Sequence, residues 1–255
     1  MAISAVIFDL WDTLVPLPKT LRERGSRALA AALGAPSEAF ATTWSATRIE
    51  RETGELEPVA ARICRDLGLT LSDEAVRDAL QTRISIQREA FAAMRPDALA
   101  TLRMLREMGV RVGLISNCTD ESPRVVRESR LAPLLDAAVF SCTEKLMKPD
   151  LRLYQRAAQL LDVPPDECLY VGDGSDDELP GAQAAGMTAV LFDPGDTPVQ
   201  EWGGLRVSAL SQLPSLLERR MAPLRGLTIA STSTNPEDSV AAPCNEAGRP
   251  ETHLG

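Results

Sequence analysis

Residues 168–187, CLYVGDGSDDELPGAQAAGM, decide the fold. The apolar run Cys168 to Val171 is bounded by Gly172, and a helical stretch, Leu179 to Ala185, follows within a few residues. A short continuous apolar run leading straight into a helix is the pattern of a strand buried on both faces of a parallel sheet. Between strand and helix lie Asp173, Asp176, Asp177 and Glu178. Acids crowded at a strand end repel one another unless a cation offsets them, and their hard oxygens suit magnesium. The competing reading is a solvated acidic loop that stabilises a helix N-terminus.

The same alternation runs outward through the chain. Apolar runs at Ala5 to Phe8, Val110 to Ile115, Ala137 to Phe140 and Ala189 to Phe192 read as further strands, with helices at Asp97 to Met108 and Leu151 to Leu161. This predicts an α/β fold: a doubly wound parallel sheet with a Rossmann-like core and its site at the C-terminal strand ends. Lys19 to about Arg95 carries only helical patterning, with breaks near Gly34–Pro36, Thr53–Pro58 and Gly68–Asp73. The expected organisation is a core of residues 1–18 and 96–220 and a small all-helical insertion of residues 19–95, placed to cover the site as a lid. Residues 221–255, rich in Ser, Thr, Pro, Asn and Gly, read as a disordered tail.

Composition removes several classes of function. A formal net charge of -9 argues against nucleic acid or anionic lipid as a partner. The single histidine, His253, lies in the polar tail, which argues against a Ser-His-Asp apparatus and against histidine-ligated zinc. The 5 cysteines form no C-x-x-C pair. With neither a membrane span nor a leader pattern in the sequence, the expected setting is the cytoplasm, as a monomer or homodimer. The chemistry must rest on carboxylates, hydroxyls, lysine and an oxygen-ligated metal.

Three more stretches supply such groups. AVIFDLWDTLV (5–15) ends a strand in Asp9, a candidate nucleophile or metal ligand, followed by Trp11 and Asp12. RVGLISNCT (111–119) ends a strand in Ser116 and Asn117, suited to gripping an anionic oxygen. EKLMKPD (144–150) holds Lys148 just ahead of a proline and a helix. Each alone is also ordinary: a capping aspartate, a turn, a surface lysine.

Together and in this order, the four stretches resemble the haloacid dehalogenase-like superfamily over about Ile3 to Leu217, with residues 19–95 similar to its helical cap of the first type. The resemblance implies a Mg²⁺-dependent hydrolase of small phosphate esters that works through an aspartyl-phosphate. Asp9 would be the nucleophile, and the metal would be held by Asp9, the Trp11 carbonyl, Asp173 and Asp177, with Glu178 competing for the last place. Ser116, Asn117 and Lys148 would bind the phosphoryl group, and Lys148 would also stabilise developing charge. One position departs from the pattern. Phosphatases of the family carry a general-acid aspartate two residues after the nucleophile, where this chain has Trp11, so Asp12 is the substitute acid. An aromatic there is similar to the family's metal-independent 2-haloacid dehalogenases, which do not keep the aspartate represented by Asp173. A non-catalytic phosphate-binding or regulatory protein is the other reading left open. The insertion would choose the substrate through Arg48, Arg51, Arg62 or Arg65, or these are solvated surface charges.

Overall fold

The computed structural model describes residues 3–195 and 201–221. Six strands, β1 (Ala5–Phe8), β2 (Arg111–Ser116), β3 (Ala137–Phe140), β4 (Cys168–Gly172), β5 (Thr188–Phe192) and β6 (Leu205–Val207), form one sheet in the order β3-β2-β1-β4-β5-β6. Every neighbouring pair is parallel. The α/β doubly wound architecture is therefore present, with one strand that the sequence reading lacked: Leu205–Val207 is too short and polar to stand out from a loop.

Alternation along the strands sorts the core. Val6 and Phe8 face one layer of apolar side chains, while Ala5 and Ile7 face the other. Helices α1 (Lys19–Ala32), α2 (Ser37–Ala46), α3 (Arg48–Thr53), α4 (Leu56–Asp66) and α5 (Asp73–Ala92) follow β1 without an intervening strand. They bury their own cluster, centred on Leu29, Phe40, Ile63 and Val76, so the insertion has a core separate from the two faces of the sheet. The remaining helices are α6 (Ala98–Glu107), α7 (Ser122–Glu128), α8 (Ser141–Glu144), α9 (Leu151–Leu161), α10 (Glu178–Ala184) and α11 (Leu213–Met221). The sequence-predicted tail, 221–255, lies outside the described residues apart from Met221, which ends α11. Among the described residues no helix is long and apolar enough to cross a membrane.

The register places the chemistry. Phe8 pairs with Leu114 on one side and Val171 on the other, so Asp9, Ser116 and Asp173 leave the sheet at the same edge. Strand order reverses at β1, and ligands of open α/β sheets bind at such a switch point, beyond the C-terminal strand ends.

Candidate active site

Asp9 stands directly beyond β1 and is buried, at 4% exposure. Its backbone N–H is bound to the Val171 carbonyl at 2.9 Å, which fixes the carboxylate beside the end of β4. The chain then turns through Asp12, whose φ of 63° is left-handed. Arg95 holds that turn by donating to the carbonyls of Thr13 at 2.9 Å and Asp12 at 2.8 Å. Within it, Val15 N donates to Leu10 O and Asp12 N to Val15 O, leaving the Trp11 carbonyl out of the turn's own bonding.

Lys148 is the hub. Its Nζ donates to Asp9 Oδ1, to Glu178 Oε2 at 2.5 Å and to the Tyr170 hydroxyl at 3.1 Å, all buried. Tyr170 in turn donates to Glu178 Oε2 at 2.7 Å, and Gly174 N donates to Glu178 Oε1 at 3.0 Å. Burial opposes the charge on Lys148, but attraction to Asp9 and Glu178 outweighs it and raises its pKa, so it stays an ammonium. Burial pushes the Asp9 and Glu178 carboxyls up, and repulsion from neighbouring acids adds to this against the pull of Lys148.

The acid that meets Lys148 is Glu178 and not Asp177. Asp176 and Asp177 both take left-handed φ, 54° and 52°, and this double turn leaves Asp177 exposed while Glu178 points inward with no exposed surface. The strand makes room for it: a Cβ on Gly172 would sit 2.0 Å from Glu178 Oε1, so only glycine admits the carboxylate there. Gly181 serves packing instead, since a Cβ would approach Pro149 and the Tyr154 hydroxyl to 2.8 Å.

Asp9, Asp173 and Glu178 each bring a carboxylate oxygen within 4.8 Å of the others, whereas Asp177 is outside this group. Glu178 has both oxygens engaged by Lys148, Tyr170 and Gly174. Asp173 uses Oδ1 for Ser175, at 2.8 Å from the hydroxyl. Asp9 Oδ2 and Asp173 Oδ2 accept no hydrogen bond among the described residues. Three carboxylates against one ammonium leave two negative charges, and the free donors are hard oxygens, so the residues fit a divalent cation such as Mg²⁺.

Asn117 acts as a brace. Its Oδ1 accepts from Lys148 N at 2.8 Å, and its Nδ2 donates to Lys148 O at 3.3 Å and to Asp176 Oδ2 at 2.9 Å. Asp176 also receives Arg48 of α3 in a two-pronged contact of 2.8 and 2.5 Å. Burial works against the Asp176 charge, but Arg48 and Asn117 outweigh it and hold its pKa below the ordinary value. Ser116 is fully buried and is not on the cavity wall, whereas Asn117 is. Asp12 lies on the wall, accepting from Leu17 N at 2.8 Å and from Arg22. Of the insertion arginines, Arg62 is tied to Glu50 and Asp66 at the surface, Arg65 is exposed, and Arg48 and Arg51 reach the cavity. Sequence reasoning missed Tyr170 and Asp176 as part of this network. Tyr170 is one more residue of an apolar strand until its hydroxyl is seen between Lys148 and Glu178.

Above the carboxylates is a cavity of about 560 Å³, walled by the first strand ends and by α1, α3 and α5. The fold and this cluster define a parallel-sheet α/β protein whose candidate site, among the described residues, is built from acids and a lysine with no histidine. The family model for haloacid dehalogenase-like hydrolases matches residues 3–186, and the chain belongs to that family. An (S)-2-haloacid dehalogenase of Burkholderia cepacia is 29% identical over 235 residues, 86% of this chain and 97% of that one. A phosphatase of Mycobacterium tuberculosis is 30% identical over 204 residues, 76% of this chain and 88% of that one. The crystal structure of a 2-haloacid dehalogenase from Pseudomonas syringae has a TM-score of 0.66 at 25% identity, covering 86% and 99% of the two chains. Both phosphatases and dehalogenases are thus among its relatives.

Proposed function

We propose that the protein is a Mg²⁺-dependent phosphatase of small phosphorylated metabolites that uses Asp9 as nucleophile. The observation carrying this reading is the surplus of acid around the buried Lys148: the half-buried Asp173 and the buried Glu178 beside Asp9 leave a charge that one lysine does not balance. A carbon–halogen substrate gives such a surplus no purpose, whereas a metal-bound phosphoryl group does. Asp9 Oδ2, Asp173 Oδ2 and the Trp11 carbonyl would hold the ion; Asp177, expected from the sequence as a further metal ligand, would not, and Glu178 would position Lys148. Bound there, Mg²⁺ would neutralise and orient the phosphoryl oxygens.

The residues then divide the work. Asp9 attacks phosphorus in line, and the phosphorus–oxygen bond to the leaving alcohol breaks as the aspartyl-phosphate forms. Lys148 and the backbone around Ser116 and Asn117 stabilise charge on the phosphoryl oxygens. Asp12, whose pKa burial raises despite Leu17 and Arg22, protonates the leaving alkoxide. Water subsequently hydrolyses the aspartyl-phosphate. The helical insertion serves as the cap that excludes bulk water.

Release of phosphate and of halide, each measured with Mg²⁺ and with chelator, tests this reading. Phosphate release is expected with Mg²⁺ and is expected to drop to background in chelator. Halide release from a 2-chloroacid that persists in chelator would replace the phosphatase by a dehalogenase. Asp12→Asn is expected to slow alkyl phosphates by about 10²-fold or more, the usual worth of a positioned acid, and aryl phosphates much less. Equal slowing of both would remove Asp12 as the proton donor.

A further inference from the structure

Four arginines reach the cavity wall: Arg22, Arg48, Arg51 and Arg83. Three already have acids. Arg22 is paired with Asp12, Arg48 with Asp176 and Glu52, and Arg83 with Glu121 at 2.6 Å. Arg51 has no carboxylate within 4.0 Å among the described residues, although it is only 6% exposed. Its guanidinium lies 4.1 Å over the Trp44 ring, and Nε and Nη2 donate to the Trp44 carbonyl at 3.2 and 2.8 Å. Nη1 has no protein acceptor among the described residues. Burial, and then Arg83, lower its pKa to about 10 against the pull of the more distant Glu52 and Glu121, which leaves it a cation at neutral pH. A buried cation with no carboxylate in contact is costly, and one kept on a cavity wall is accounted for by an anion that arrives with the ligand.

A second observation falls on the same wall. Gln87, also 6% exposed, lines the cavity with its Oε1 buried and unpartnered, and Glu52 Oε2 is in the same condition. Gln87 is one turn beyond Arg83 on α5, and Arg83 lies 5.0 Å over the same Trp44 ring, so Arg51 and Gln87 belong to one surface. Arg48, which touches Asp176, precedes Arg51 by about one turn of α3, ~5 Å along the helix. The surface therefore begins a short reach from the reacting carboxylates.

We propose that this wall is a subsite for a second anionic group, so that the substrate is a hydroxylated phosphate ester whose leaving alcohol also bears a carboxylate or another phosphate. Arg51 pairs with that group. Gln87 and Glu52 take hydrogen bonds from the hydroxyls between it and the ester oxygen. The identity of the reacting end rests on the phosphatase reading; the subsite itself rests on Arg51 and Gln87. A cavity of about 560 Å³ has room for a leaving group of a few carbons.

The test measures binding by calorimetry and phosphate release for 3-phosphoglycerate, glycerol 3-phosphate and glycerol bisphosphate, with the unmodified protein, Arg51→Met, Arg51→Lys and Gln87→Leu. The unmodified protein is expected to favour the doubly anionic ligands over glycerol 3-phosphate by about 10- to 100-fold, the range of a charge-assisted contact. Preference for 3-phosphoglycerate or for the bisphosphate tells whether carboxylate or phosphate is the second group, and either supports the subsite. Arg51→Met, which keeps a chain over Trp44 without charge, is expected to bring the ratio near one, and Arg51→Lys to restore part of it. Gln87→Leu is expected to weaken binding of all three hydroxylated ligands about threefold or more while leaving the ratio in place, and a lowered ratio in Arg51→Lys carries the charge test if Arg51→Met does not fold. No preference in the unmodified protein, a preference unchanged in folded Arg51→Met (or in Arg51→Lys where Arg51→Met does not fold), or undiminished binding of all three ligands in Gln87→Leu overturns the subsite. Preferential binding without any phosphate release overturns the phosphatase reading and leaves the subsite standing.

Discussion

Asp9→Asn is expected to lower phosphate release by at least about 10⁴-fold, the scale on which removal of a nucleophile abolishes covalent catalysis. The amide keeps the shape of the carboxylate but cannot form the aspartyl-phosphate, and it also takes one of the two free oxygens from the metal site. The fold is expected to survive unharmed. Burial and the nearby Glu178 and Asp173 raise the Asp9 pKa, so its ionised form is a destabilising group at neutral pH in the metal-free protein. With asparagine there, Lys148 and Glu178 remain as a balanced pair. A thermal melt in chelator is therefore expected to give a midpoint equal to or above that of the unmodified protein. Residual turnover within tenfold would exclude Asp9 as the nucleophile.

Lys148→Met is expected to fail in both respects. Its buried Nζ bonds Asp9, Glu178 and Tyr170 together, so its loss leaves two buried carboxylates facing each other. Removing one partner of a buried ion pair costs about 3–5 kcal/mol, which for a chain of this size lowers the melting midpoint by roughly 6–20 °C. Turnover is expected to fall by about 10²- to 10³-fold, as when a donor to the developing charge is removed. Adding Glu178→Gln separates the two effects. The double variant removes a stranded charge and is expected to regain part of the stability and none of the turnover. A Lys148→Met protein as stable as the unmodified one would mean that the buried cluster does not depend on this ion pair.

Gly172 illustrates how local signal and tertiary outcome divide. The Gly-Asp pair at the end of β4 is visible in the sequence, and it locates Asp173 without a structure. Its purpose is visible only in three dimensions, where the missing Cβ is the space that Glu178 occupies. Likewise, Lys148 was legible as one member of an ordered quartet, while its contacts with Tyr170 and Asn117 were not. Asp177 and Glu178 are neighbours with equal claims on paper. Two left-handed residues in succession turn one outward and the other into the core, and acidic side chains do not announce that backbone choice.

The sequence by itself determined the parallel sheet, because continuous apolar runs alternating with helices admit few other arrangements, and it determined which residues stand at the strand ends. It also placed the helical insertion, since a run with only helical period cannot join the sheet. Only the tertiary structure decided which of those residues meet. Asp9 and Lys148 are 139 positions apart, and their pairing depends on register and packing across the sheet. The same holds for Arg51: the chain contains acids enough for every arginine near the cavity, and folding brings one into contact with each of the others while leaving this one with no carboxylate within 4.0 Å among the described residues.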